Sequence, residues 1–209
     1  MFSMVDLEDE KTVIKWLVVL FVAVILLCVI CTWLTIEHNK KQIKNAGRFG
    51  ERLVTNAIRD YLNQDDVLLT NVSIYADGKR AELDNVVVNS NGVFIIEVKN
   101  YKGDLWGRED DYEWIKEKES SGGNAYTKRV KNPIRQVKRQ IYIMSRLLKE
   151  HGIKVWVEGY VFLLRLNSPV QSSCVLEVPS DIDRVIHRRT GQQLTTVEIQ
   201  EIMKVLTRI

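Results

Sequence analysis

Residues 81–99, AELDNVVVNSNGVFIIEVK, form the stretch that decides the fold of this 209-residue chain. Two runs rich in branched and aromatic side chains, 81–88 and 93–99, flank the tract NSNG at 89–92. Asn-Gly tolerates the positive φ angles of a tight turn, and two strands joined so closely pair antiparallel. The stretch therefore predicts a β-hairpin.

Three charged residues of this hairpin share one predicted face. Side chains alternate along a strand, so Glu97 and Lys99 point to the same side. A two-residue turn at 90–91 places Asp84 directly opposite Glu97, and a turn at 91–92 places it opposite Lys99. Either register brings the three side chains together, within apolar strands where an unpaired charge is costly to bury.

The pattern around the hairpin predicts further helices and strands. Upstream, apolar residues at helical spacing predict a helix over 53–62, and 67–74 is typical of a strand. Downstream, Asn-Pro opens a predicted helix over 132–152, and 155–164 is a dense β-branched run. The order αβββ, followed by α and β, predicts a mixed α/β domain.

A fourth carboxylate extends the charged group. Glu51 lies three and seven residues before members of the apolar stripe of the first helix, so it projects toward the core. Carboxylate oxygens are hard ligands suited to Mg²⁺ or Mn²⁺. A cation held by Asp84, Glu97 and Glu51 would activate water and orient a phosphodiester, while Lys99 positions the nucleophile or neutralises phosphate charge. The chemistry indicated is phosphodiester hydrolysis.

The same residues also fit a purely structural interpretation. Asp84, Glu97 and Lys99 can form a cross-strand salt bridge, and Glu51 can occupy the first helical turn because of the helix dipole. Spacing alone favours this structural alternative, because Glu-x-Lys is common on solvated strand faces.

A basic stretch leads into the predicted helix over 132–152. Between 128 and 140 there is no acidic residue, and six side chains are positive: Lys128, Arg129, Lys131, Arg135, Lys138 and Arg139. A basic face beside an acidic metal site favours backbone-dominated nucleic-acid binding. The alternatives are a solvated helix flank or a second contact with lipid.

The N-terminal region predicts a membrane anchor. Residues 16–34 carry no charge and contain a single hydroxyl, a length that matches the roughly 20 residues needed to cross a bilayer. The acidic start and the absence of a small-residue cleavage site argue against a signal peptide. We therefore predict a short extracytoplasmic N-terminus (1–12) and one transmembrane helix from Val13 to Ile36.

Basic residues follow this apolar run and set its predicted direction. Lys40, Lys41 and Lys44 belong to a basic juxtamembrane connector (37–46) that can also contact anionic lipid. By the positive-inside rule, the following domain (47–209) is cytoplasmic and the protein is a single-pass protein of the cell membrane. Gly47 and Gly50 are predicted to break the pattern between connector and domain.

Three cysteines and three histidines limit the remaining classes of site. Two cysteines lie inside the apolar run, so neither a disulfide framework nor a four-cysteine zinc site can be built. The histidines are scattered in unrelated contexts, which excludes an evident histidine metal site or Ser-His-Asp arrangement.

Several blocks carry a family resemblance: GERL at 50–53, ELD at 82–84, GVFIIEVKNYKG at 92–103 and NPIRQ at 132–136. In order and spacing they resemble the nuclease-related domain (NERD) family of the PD-(D/E)xK nuclease superfamily, over roughly residues 47–165. The resemblance implies a restriction-endonuclease-like αβββαβ core with a mixed sheet. It also implies a metal-dependent site with Asp84, Glu97 and Lys99, together with Glu51 and with Gln136 on the helix that follows the catalytic strands.

The sequence leads to a membrane-anchored protein that hydrolyses nucleic acid with Mg²⁺ or Mn²⁺, with DNA the favoured substrate over RNA. The alternative is a non-catalytic module of the same fold that binds nucleic acid or a protein at the membrane. A third hypothesis is a membrane-tethered interaction protein without a nucleic-acid role. Whether the domain is an enzyme stays open at this level.

Overall fold

The computed structural model describes residues 4–119, 123, 125–189, 191 and 193–207. The chain separates into two compact units, an N-terminal unit that ends at Ala46 and a second unit that begins at Gly47. Residues 1–3 of the predicted N-terminal segment lie outside the described part of the chain.

Helix α1 runs from Met4 to Tyr61. Its section from Thr12 onward is long and apolar enough to cross a membrane, which makes it a candidate membrane span. The apolar side chains between Val13 and Ile36 are exposed, as expected for a segment that requires an apolar surrounding. Residues 37–46, predicted as a connector, are helical.

The prediction that Gly47 and Gly50 break the helical pattern between connector and domain was wrong, because both residues lie within α1. The reason for Gly50 is close packing. A Cβ at this position would lie 2.6 Å from Leu164 Cδ1 and 3.3 Å from Asn100 Cβ. Here the glycine allows the helix to approach the sheet closely, and the contacts of the helix outweigh its low helix propensity.

The main sheet contains five strands in the order β1-β2-β3-β7-β8. Their bounds are Val67–Ala76 (β1), Lys79–Asn89 (β2), Gly92–Lys99 (β3), Val157–Leu163 (β7) and Val175–Leu176 (β8). β1, β2 and β3 pair antiparallel, whereas β3–β7 and β7–β8 are parallel, so the sheet is mixed as predicted. The four strands predicted from sequence differ from these bounds by at most two residues at either end.

Helices cover both faces of this sheet. On one face pack α2 (Pro133–Glu150) and α4 (Thr196–Thr207), through a core that includes Ile143, Met144 and Ile202. On the other face pack the last turns of α1 and α3 (Pro179–Ile186), through Ile58 and Ile182 among others. The arrangement is a three-layered mixed α/β domain, consistent with a nuclease-like fold.

A second, three-stranded sheet lies between β3 and α2 in the chain. It consists of β4 (Asp104–Trp106), β5 (Glu113–Glu119) and β6 (Ala125–Lys131), all antiparallel. Trp114 of β5 is fully buried with Ile134 and Val137 of α2. Through these contacts the small sheet is fastened to the first half of α2.

Asn132 starts α2 as predicted and also anchors the loop before it. Its Oδ1 accepts a hydrogen bond from Ile134 N (2.9 Å), the usual N-cap contact. Its Nδ2 donates to the carbonyl oxygens of Glu109 (2.9 Å) and Asp111 (2.8 Å). The residue is 1% exposed, so one buried amide fixes both the helix start and the adjoining loop.

A histidine ties the end of α3 to the segment before β1. His187 Nε2 contacts Asp66 Oδ2 (2.8 Å), and its Nδ1 contacts Asp183 Oδ1 (2.7 Å). Burial opposes protonation of the ring, but the hydrogen bonds that the ring donates to Asp66 and Asp183 outweigh it, so the pKa of His187 is raised. The charged form of His187 therefore stabilises this connection.

Candidate nuclease site

The candidate site lies where β2 separates from β3. Asn89 pairs with Gly92 and Asn85 with Ile96, so the turn is at residues 90–91, the first of the two predicted registers. Pairing ends at Asn85, one residue short of Asp84. Asp84 Oδ2 instead accepts a hydrogen bond from Val98 N (2.8 Å), which holds the carboxylate against β3 beside Glu97.

Simple strand alternation does not continue through Asp84. Leu83 and Val86 both face the α2 side of the sheet, although an uninterrupted strand would direct them to opposite sides. Pairing of β1 with β2 is skipped between Asn71 and Asp84, and Asn71 has a left-handed φ of 55°. This paired irregularity in the two strands, rather than regular alternation, sets the place of Asp84.

Glu97 is the buried centre of the site, with 2% of its surface exposed. Its Oε1 accepts hydrogen bonds from Lys99 Nζ and Gln136 Nε2. Its Oε2 accepts one from Gln140 Nε2 (2.7 Å). The structure thus brings together the predicted residues Glu97, Lys99 and Gln136, and it adds Gln140.

Gln140 was missed as a site residue from the sequence. It follows Gln136 by four residues and therefore lies one helical turn along the same face, a signal that could have identified it. The amide also donates to Glu82 O (2.9 Å). Its Oε1 is buried and has no hydrogen-bond partner in the described part of the chain, so one acceptor atom of this side chain is unsatisfied.

The charge of Glu97 affects the protonation of the neighbouring carboxylate, Asp84. Burial and, next, the charge of Glu97 raise the pKa of Asp84 to about 7, with a smaller contribution from Glu51 and against the lowering effect of the Val98 N–H and of Lys99. Burial also opposes the charge on Lys99, but Glu97 outweighs it and the pKa of Lys99 is raised. When both carboxylates are ionised, the site carries more negative charge than Lys99 alone compensates, which is one reason for the high pKa of Asp84.

This donor set fits a divalent cation, with a limit on the number of protein ligands. Mg²⁺ keeps several waters and is usually held by one or two carboxylates. Within the described residues, no group of three His, Cys, Asp or Glu side chains is arranged to hold a metal ion. Asp84 and Glu97 have the chemistry for such a partly hydrated cation, whereas Glu51 acts on Asp84 through its charge. The role of all three as metal ligands stays a prediction.

A groove borders the site on the α2 side, and we call it the α2 groove. It has a volume of about 820 Å³ and contains Gln136 and Gln140. Four of its lining residues are positive: Arg80, Lys131, Arg135 and Arg139. Three of the six predicted nucleic-acid contacts are therefore in one groove. The same groove contains Gln136 and Gln140, the two amides that donate hydrogen bonds to Glu97.

The other three predicted contacts are placed elsewhere. Residues 125–131 form strand β6 rather than a lead-in to the helix, so neighbouring side chains point to opposite faces. Lys128 lies opposite Lys116, whereas Arg129 pairs with Glu113 at 3.7 Å. Lys138 pairs with Glu109 at 3.1 Å on the surface.

A second groove, the α1 groove, opens on the other side of Asp84. Its volume is about 410 Å³, and it is lined by Glu51, Asp84 and Asn71 among others. Three arginines of α1 also line it: Arg48, Arg52 and Arg59. In the sequence, Arg48 precedes Glu51 by three residues and Arg52 follows Arg48 by four, and this helical spacing is the signal that links the two arginines to the site.

Comparison with known proteins identifies the family of the part of the chain that contains this site. Residues 46–164 match the family model of the nuclease-related domain (NERD), a span that contains all five predicted site residues. An uncharacterised protein of Bacillus anthracis is 28% identical over 177 residues, which cover 81% of this chain and 79% of the relative. No solved structure matches the chain at a significant level. Since the family model covers more than half of the chain, the protein belongs to the nuclease-related domain family.

Proposed function

We propose that this protein is a membrane-anchored, metal-dependent nuclease that hydrolyses phosphodiester bonds of nucleic acid. The observation that carries the proposal is the convergence of Asp84, Glu97 and Lys99, supported by Gln136, at the point where β2 leaves β3. Two carboxylates, an ammonium group and an amide next to a basic groove are the groups that metal-assisted phosphodiester hydrolysis requires.

The residues of the site divide the chemical work. Asp84 and Glu97 would hold Mg²⁺ or Mn²⁺, which when bound lowers the pKa of water and offsets charge on the leaving oxygen. Lys99 is held by Glu97 and supplies a positive charge for the scissile phosphate or the attacking water. Gln136 and Gln140 keep the buried carboxylate of Glu97 in one orientation.

The α2 groove is the proposed path of the substrate. Its positive side chains neutralise phosphates without reading bases, so binding would depend strongly on salt and weakly on sequence. We propose DNA as the first substrate to test. RNA is tested beside it, because phosphate contacts of this kind do not distinguish the two by themselves.

The membrane location is part of the same proposal. The segment from Val13 to Ile36 would span the cell membrane, with the N-terminus outside and the nuclease-related domain in the cytoplasm, because the basic residues follow the span. Lys40, Lys41 and Lys44 would contact anionic headgroups, at about 1 kcal/mol for each well-placed charge.

One observation favours a second candidate, a non-catalytic nucleic-acid- or protein-binding module. Both oxygens of Glu97 already accept hydrogen bonds from three side chains of the same chain. A carboxylate satisfied in this way can serve the fold alone, so that the basic grooves bind a partner without cleaving it.

The deciding experiment uses the full chain purified in a non-ionic detergent. Fluorescent single- and double-stranded DNA and RNA are incubated with Mg²⁺, Mn²⁺ or chelator, beside the variants Asp84→Asn and Lys99→Met. Asp60→Asn, at an exposed position of α1, is the matched charge control. We expect cation-dependent cleavage that falls by at least about 100-fold in the two site variants and stays unchanged in the control.

Each other outcome has a distinct meaning. Cleavage that survives Asp84→Asn and Lys99→Met refutes the assigned site. Binding without cleavage under every cation supports the non-catalytic candidate. Neither binding nor cleavage of any of the four substrates refutes both nucleic-acid functions.

A further inference from the structure

The two faces of the small sheet β4–β6 differ sharply in charge. Registered pairs of β5 and β6 place Lys116 opposite Lys128 and Lys118 opposite Tyr126. These four residues share the face that also carries the buried Trp114, and we call this set the lysine face. Lys128 and Tyr126 are exposed, and Lys116 and Lys118 are half-buried.

The positive charges of the lysine face are uncompensated. Like charges directly opposite each other on paired strands destabilise a sheet, so the pair of Lys116 and Lys128 costs stability. Burial lowers the pKa of Lys116, and the charges of Lys118 and Lys128 lower it further. In the described part of the chain, none of these lysines forms a salt bridge with a carboxylate.

The opposite face of the small sheet β4–β6 contains acidic as well as basic side chains. Glu113, Ile115 and Glu117 alternate with the lysines along β5 and point the other way. There Glu113 pairs with Arg129 at 3.7 Å, so charges of both signs are mixed. The acidic side chains of β5 thus lie on one face, and the charged side chains that β5 and β6 place on the other face are all lysines. This arrangement suits an anionic ligand.

The lysine face adjoins the candidate site. The ammonium group of Lys116 lies over the ring of Tyr101, 5.5 Å from its centroid, and Tyr101 follows Lys99 by two residues. The loop between β3 and β4 packs tightly on the ribbon, since a Cβ on Gly103 would lie 1.9 Å from Glu117 O. A strand of nucleic acid at Lys99 would therefore reach the lysine face directly.

We propose that the lysine face binds the phosphate backbone of the nucleic-acid substrate beside the candidate site. This surface is separate from the lining of the α2 groove. This inference rests on the proposed nucleic-acid function. Lys116, Lys118 and Lys128 contact phosphates, and the half-exposed ring of Tyr126 offers a surface on which an unpaired base stacks. The occupant is nucleic acid rather than lipid because the face continues from Lys99.

The test measures binding of the full chain in non-ionic detergent to a fluorescent DNA duplex and to single-stranded DNA and RNA, in chelator. The double variant Lys116→Gln/Lys128→Gln is compared with Lys149→Gln/Lys204→Gln, which removes the same charge from exposed positions of α2 and α4. We expect about tenfold weaker duplex binding in the first variant, and a slope of log affinity against log salt that is reduced by about 1.8. The control should bind as the wild type does.

The outcomes separate this inference from the proposed function. A wild-type chain that binds no nucleic acid refutes both. A wild-type chain that binds, with a Lys116→Gln/Lys128→Gln variant of equal affinity and salt slope, refutes the lysine face alone. Equal oligonucleotide binding combined with lost affinity for soluble dibutanoyl phosphatidylglycerol would assign the face to lipid headgroups and overturn the proposal. Tyr126→Leu should weaken single-stranded binding more than duplex binding, and an equal effect on both would contradict base stacking.

Discussion

Replacing Lys99 by methionine should destabilise the domain far more than removing a surface lysine. The side chain of Lys99 is 20% exposed and that of its partner Glu97 only 3%, so the pair is largely withdrawn from water. Breaking a buried pair costs about 3–5 kcal/mol, because one charge stays buried without its partner. Since Glu97 keeps the amides of Gln136 and Gln140, we expect a smaller loss than this range, about 2–3 kcal/mol.

The assay is thermal unfolding of the full chain in non-ionic detergent with chelator. For a domain of this size, about 2–3 kcal/mol corresponds to a fall in Tm of roughly 4–12 °C. The comparison variant is Lys138→Met, which breaks the exposed pair with Glu109 and should cost about 0–1 kcal/mol. Adding Mg²⁺ should raise the Tm of Lys99→Met more than that of the wild type, because the uncompensated carboxylates gain a counter-charge. Equal destabilisation by the two variants would refute the view that Lys99 neutralises a buried Glu97.

Three further predictions test other parts of the molecule. In chelator at about pH 8, where Asp84 is mostly ionised, Asp84→Asn should raise the Tm because it removes a half-buried charge beside Glu97, and a lower Tm would contradict the inferred repulsion. Because the pKa of His187 is raised on folding, its contribution is complete below the unfolded value of 6.5 and is lost as pH rises through the folded value. His187→Asn should therefore lower the Tm clearly at about pH 5.5 and less at about pH 9, and a pH-independent loss would exclude the charged ring as its cause. Gly159→Ala should destabilise the domain by about 1–3 kcal/mol, since its Cβ would lie 2.4 Å from Val137 Cγ1. Thermal unfolding measures this loss, and an unchanged Tm would show that α2 and β7 can move apart at no cost.

The hairpin and the start of α2 could be predicted from sequence because local chemistry decides both. The NSNG turn fixes which strands pair, and the buried apolar runs leave few registers open. Asn132 followed by proline specifies a helix start through one capping bond and a fixed φ angle. The hairpin puts Glu97 and Lys99 on one face of a strand, whereas the assignment of Gln136 to the site follows from the family resemblance alone.

Strand β6 could not be predicted because its sequence, AYTKRVK, gives almost no apolar alternation. It exists through pairing with β5, and its one core-facing apolar contact is Val130. The consequence for function is large: consecutive basic residues that suggested one continuous surface are divided between two faces. The two-residue strand β8 was also missed, since an element of that length has no period. The helix α3 was missed although a proline at its start and Ile182, Val185 and Ile186 at helical spacing signal it.

The grouping of Asp84 with Glu97 was predicted, but for an incomplete reason. Regular alternation along β2 would place Asp84 on the face of Glu97, whereas the actual strand changes phase between Leu83 and Val86. The hydrogen bond from Val98 N restores the proximity of the two carboxylates. Sequence periodicity contains no sign of this change, because it depends on a simultaneous change in β1 at Asn71.

Because β1 and β2 change phase at the same place, a deletion in one strand is tolerated only together with a deletion in the other. No residue is inserted in either strand, and the pairing partners on both sides of the irregularity stay in the same register. A deletion at Asn71 alone would rotate half of β1 out of phase with its neighbour and turn core side chains toward solvent. Removing position 71 together with position 84 would keep the sheet but abolish the site. β1, which supplies no candidate catalytic residue, therefore limits how far this site can drift in sequence: position 71 accepts only residues that tolerate the left-handed conformation, chiefly Asn, Asp and Gly.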